Sequence, residues 1–124
     1  MTDPAAGAAR AAADYFAAEY GPGLPAQVEA ELADRDQEGR RPGQYDLGVV
    51  LSAAALIVAI AQLAQSIYAT RRQQTAQPAA EAIAWETRIE LRKREISLSE
   101  QTLRITEYIA TQITRQDPQP GQQD

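Results

Sequence analysis

The residues of this chain best equipped for chemistry are its carboxylates, and Glu29, Glu31, Asp34, Asp36 and Glu38 crowd into one short stretch. Such a cluster can hold a divalent cation. A calcium loop, however, needs a glycine at its sharp turn and oxygen ligands at alternating loop positions, and this spacing is helical instead. It reads as a solvated helix face. General acid or base work needs a carboxyl whose pKa is raised by an apolar setting, and none of the acids sits in such a context. The chain has no cysteine and no histidine, which removes thiol chemistry, disulfides, structural zinc and the ordinary near-neutral proton carrier together. A serine–histidine pair is therefore impossible, and no glycine-rich phosphate loop occurs. These residue types argue against an enzyme and imply no cofactor and no metal.

Two of the chain's glutamines stand where the directional bonding of an amide matters. Gln62 and Gln65 lie inside Leu47 to Thr70, a run of 24 residues without a charge. An amide surrounded by hydrocarbon is costly unless it bonds another polar group, so its best partner there is a second helix. The residues around Gln62 support that reading. Gly48, Ser52, Ala55, Ala59, Gln62, Ser66 and Ala69 recur at alternating steps of four and three, which makes a heptad seam of small and polar side chains suited to close helix–helix packing. Val50, Leu51, Ile57, Ile60, Leu63 and Ile67 mostly lie off the seam, where they can face lipid.

The element that carries this seam is a helix long enough to span a membrane. At ~1.5 Å per residue, about 20 apolar residues cross the ~30 Å hydrocarbon core. Asp46 bounds the run on one side and Arg71-Arg72 on the other. Tyr45 and Tyr68 bracket it as interfacial anchors would. The sequence thus predicts one transmembrane helix over 47–70, in contact with the lipid bilayer. No basic, apolar and small-residue pattern of a cleavable signal opens the chain, so the run is expected to stay as an anchor. The arginines near the run divide almost evenly between its sides, and Arg71-Arg72 beside it tips the expected orientation toward a cytoplasmic C-terminus. The alternative is a helix buried in a soluble helical assembly, with the glutamines at polar bundle positions.

Residues 1–46 form an acidic arm with nine acids against four arginines, a net −5, whereas residues 71–124 hold eight of each sign. An acidic arm without a basic face argues against nucleic acid as a partner. Asp3 and Pro4 suit the start of a helix that Gly21-Pro22 stops at Tyr20, and Pro25 opens a second helix running to Glu38. The two make a helical hairpin that can offer Phe16, Tyr20, Val28 and Leu32 to a partner. Gly39 to Gln44 is a basic connector.

Beyond Pro78, no glycine or proline interrupts Ala79 to Arg115, so the spacing predicts a long amphipathic helix over this part of segment 71–116, with a possible coiled coil. It carries two apolar stripes on nearly opposite sides. One holds Trp85, Ile89, Ile96, Leu103 and Ala110, and the other Leu91, Leu98, Ile105 and Ile109. A helix apolar on two sides wants two neighbours, which favours a homo-oligomer or bundle. Glu90 with Arg94 and Glu100 with Arg104 are pairs four apart. Ser97 with Glu100 matches a capping box, which offers a break near Ile96. Residues 117–124 read as a disordered tail.

The expected class is all-α, with a hairpin, an apolar helix and a helical C-terminal arm. The plan resembles that of small bacterial single-pass proteins, including membrane adaptors and holins. The uncharged run, its seam and the helical arms together lead to the expectation of a single-pass protein of a bacterial inner membrane that self-associates and serves as a structural or adaptor component, with protein partners engaged by the C-terminal helix or the N-terminal hairpin. A holin-like permeabilising protein and a soluble all-helical assembly subunit are the alternatives.

Overall fold

The computed structural model describes residues 4–38, 52–75, 77–94, 96 and 98–116, which form five helices. The connector, Tyr45, Gly48 and Leu51, the serine of the expected capping box (Ser97), and the tail 117–124 lie outside the described residues.

Helix α1 (Pro4–Tyr20) and α2 (Leu24–Glu38) are the expected hairpin. Gly21 closes it with φ +116°, a left-handed conformation that a side chain would strain, while its N–H bonds the Ala17 carbonyl at 2.7 Å. The buried residues of α1 are Phe16 and six alanines. Alanine is the strongest helix former and keeps the backbone near its neighbours, so α1 can lie flat on the bundle although it buries little area.

Helix α3 (Ala53–Arg72) takes up the apolar run from Ala53 onward, so the start expected at Leu47 is corrected: Ser52 is extended and caps the helix. Its start is set by Ser52, whose Oγ accepts the Ala55 N–H at 3.1 Å, and Arg71 and Arg72 complement the dipole at its last turn. Among the described residues this is the helix long and apolar enough to cross a membrane by length and composition, and 56% of its apolar window is covered by the rest of the chain. The cover comes from all four other helices. These form a curved layer in the order α2, α1, α5, α4, and α3 lies against each of them. Among the described residues, α2 and α4 make no contact. The least covered side of α3 carries Leu56, Leu63, Ser66 and Thr70, whereas Ile57, Val58, Ile60 and Ala64 are fully enclosed.

The expected long helix over Ala79 to Arg115 is corrected by the structure: it is two helices, α4 (Ala80–Lys93) and α5 (Glu100–Gln116), folded against each other. The Ile96 N–H reaches back to the Leu91 carbonyl at 2.9 Å, the closure that ends helices with a reversed turn. Ser99 then caps α5, its Oγ accepting the Thr102 N–H at 3.2 Å. The break is the one a capping signal near Ile96 foreshadowed, with Ser99 supplying the observed cap. The physical reason is burial. In one straight helix Leu91 and Ile105 would stand about 21 Å apart, and folding back brings both, with Ile109, into one core at 0% exposure.

Candidate functional site

The predicted seam of α3 is divided by the fold. Ser52 is a helix cap, Ala55 and Ala59 are buried among helices of the same chain, Gln62 is half-buried, and Ser66 and Ala69 are exposed. Gly48 lies outside the described residues. Ile57 and Ile60, expected to face lipid, are wholly enclosed by the bundle. Gln65, off the seam, is the costly amide, since its oxygen is buried with no hydrogen-bond partner among the described residues.

The stripes of the C-terminal arm separate more cleanly. Leu91, Ile105 and Ile109 are fully buried and Leu98 packs against them half-covered. On the other stripe Ile89, Ile96 and Leu103 are half-buried, Ala110 is buried, and Trp85 stands 58% exposed. The inner stripe has found its neighbours within the chain. The outer one, at Trp85, has not.

Polar groups inside α4 and α5 satisfy themselves. The Thr87 hydroxyl donates to the Ile83 carbonyl at 2.7 Å and that of Thr106 to Thr102 at 2.8 Å, so both side chains present only a methyl to their neighbours.

Beside Trp85 the end of α3 and the facing sides of α4 and α5 enclose a groove of about 610 Å³, bordered by Arg71, Ala80, Trp85, Arg88, Glu107 and Thr111. Its two arginines are paired, and exposed Glu81 also borders it. Arg71 Nε donates to Glu86 at 3.0 Å, and Arg88 stands 4.0 Å from Glu107. No three carboxylates among the described residues converge on a possible metal position, and the side chains of Asp34, Asp36 and Glu38 lie outside the description. The groove can bind and orient a side chain. It presents no nucleophile with an adjacent base.

A second cluster joins the two ends of the fold, and periodicity did not reveal it. Tyr15 stacks on Tyr108 with ring centroids 4.5 Å apart, Phe16 meets Tyr108 edge-on at 5.7 Å, and the Arg104 guanidinium lies 5.6 Å above the Phe16 ring. Arg104 was expected to pair with Glu100. It turns instead to Glu19, with two bonds of 2.8 and 2.9 Å that hold the guanidinium pKa above its ordinary value. The expected Glu90–Arg94 pair does form, at 2.9 Å. Arg10 fixes α1 to α2 through Glu29 at 2.6 Å and keeps that carboxyl below its usual pKa. Exposed pairs of this kind set the register of helices more than their stability. Burial raises the Tyr108 hydroxyl, with Tyr15 and Asp14 adding to it, and burial followed by the Glu19 charge raises that of Tyr20.

No family model matches the chain, and no curated protein or solved structure matches it either.

Proposed function

We propose that this chain is a structural or adaptor protein that acts by binding protein chains, its own copies included, through the outer faces of a helical bundle in which α3 is the core helix. The observation that carries this reading is the wrapping of α3. Its enclosed positions are met by all four other helices, and ion pairs join α1 to α2, α1 to α5, α3 to α4 and α4 to α5 around the outside. A rim of exposed charges suits water and is expensive against hydrocarbon. The exposure of Trp85 and Tyr15 supports binding as the activity. Expressed in full, the protein is expected in the carbonate-soluble fraction without detergent. Retention in the carbonate-washed membrane pellet would defeat the reading.

A second reading has its own support in the uncharged run 47–70, which continues into Arg71-Arg72. In it the run is a single-pass anchor in a bacterial inner membrane, the C-terminal arm is cytoplasmic, and the seam through Gln62 joins copies within the bilayer. Gln62→Leu should then weaken crosslinking between copies while leaving insertion intact. A holin-like protein is the variant of this reading in which expression makes cells leak dye.

A further inference from the structure

We propose that the outer face of α4 is a homodimer surface, on which two copies of the chain pack antiparallel about a two-fold axis passing beside Trp85. This rests on the reading of the chain as a self-associating interaction protein, and it names the surface and the geometry.

Glu81, Trp85, Arg88 and Arg92 follow one another at steps of four, three and four, so they share one face of α4. Glu81, Trp85 and Arg92 are exposed and Arg88 is half-buried. At the centre stands Trp85, the chain's sole tryptophan and one of two large hydrophobic residues that the described fold leaves mostly in water. Tryptophan, with tyrosine and arginine, is enriched among the residues that carry interface energy.

The occupant follows from the order of charge along this face. Its N-terminal half is acidic and its C-terminal half is basic, with the change of sign at Trp85. A two-fold axis reverses one copy against the other, so each acidic half meets a basic half. Glu81 lies about 6 Å from Trp85 along the helix axis and Arg88 about 4.5 Å on the other side. In the antiparallel pair, Glu81 therefore comes level with Arg88 of the second copy, twice over. A parallel arrangement would set Glu81 against Glu81 and arginine against arginine. Half-buried Ala82 and Ile89 flank the tryptophan, and the groove beside it, bordered by Ala80 and Thr111, can receive the indole of the other copy. Arg88 is free to re-aim because its pair with Glu107 is long, at 4.0 Å, and the Glu107 side chain is 70% exposed.

The experiment uses the full chain and two charge reversals, Glu81→Lys and Arg88→Glu. Alone, each variant places like charges at both symmetry-related contacts, and self-association measured by sedimentation over a concentration series should weaken by about tenfold or more. Mixed in equal amounts, the two variants restore an opposite-charge pair at both contacts, so a heterodimer should form with close to the parent affinity. Trp85 reports the same event through a blue shift and protection from quenching in the mixture that neither variant shows alone. A variant that had merely unfolded cannot be rescued by mixing, which keeps the test sharp although Arg88→Glu also sets a carboxylate beside Glu107. A parent that stays monomeric, single variants that associate like the parent, or a mixture that does not regain association would each overturn the homodimer. A carbonate-resistant membrane pellet would instead overturn the reading of α3 as a bundle core, a result distinct from all three.

Discussion

Replacing Ile57 by alanine tests whether α3 owes its position to the helices around it. Ile57 is fully buried on the core side of α3, whereas Leu63, six residues on, is half-covered and lies toward the open side. Ile57→Ala removes three carbons. At about 0.8 kcal/mol per buried carbon the transfer loss is roughly 2.4 kcal/mol, and the cavity left in a packed interior brings the cost to about 3 kcal/mol. Leu63→Ala removes the same number of carbons from a site that is half wet and can relax, so about 1 kcal/mol is expected. For a fold of this size 1 kcal/mol moves Tm by about 4 °C, which separates the variants as roughly 12 °C against 4 °C. Alanine gains slightly more helix propensity over isoleucine than over leucine, which narrows the difference by only roughly a few tenths of a kcal/mol. Thermal unfolding of the two proteins, followed by circular dichroism in detergent-free buffer, measures the difference. Equal and small shifts would refute the reasoning, because a helix surrounded by lipid does not distinguish these two faces.

Three further outcomes follow from the same packing. Ala9→Leu in α1 forces a branched side chain into a fully buried position and should lower stability by about 1 to 3 kcal/mol; a neutral result in denaturant unfolding would mean α1 is loosely held. Gln65→Leu removes an amide oxygen that is buried without a partner among the described residues and should raise stability by about 1 kcal/mol, read as a higher urea midpoint at unchanged m-value. The hydroxyls of Tyr20 and Tyr108 have pKa values raised from 10.0 by burial. Folding thus favours the neutral phenol, and its contribution is present below about pH 10 and lost as pH rises through the folded values. Stability should fall above about pH 10, less steeply in Tyr108→Phe, and a flat profile or identical slopes in the two proteins would contradict this.

Local signals were strong enough to place most elements. Proline, glycine and the N-cap residues act within a few positions, and they put α1 and α2 where the hairpin was expected and made the uncharged run a helix from Ala53 onward. What surrounds that run was not legible, because a helix apolar on all sides has the same composition in a bilayer as in a bundle core. The difference lies in whether other segments can cover it, and α1 offered no visible sign: its alanines make a shallow stripe whose value appears only when they close against α3. The same limit explains the two pairings that periodicity did not reveal. Arg104 with Glu19 and Tyr15 with Tyr108 join residues distant in the chain, while a repeat of three or four reports only neighbours on one helix. The two apolar stripes of the C-terminal arm were readable as stripes. Whether they met two neighbours as one long helix or as two helices folded together depended on burying Leu91, Ile105 and Ile109 at once, and only the tertiary structure, by breaking the helix before Ser99, decided that the inner stripe would be satisfied within the chain and that Trp85 would remain outside.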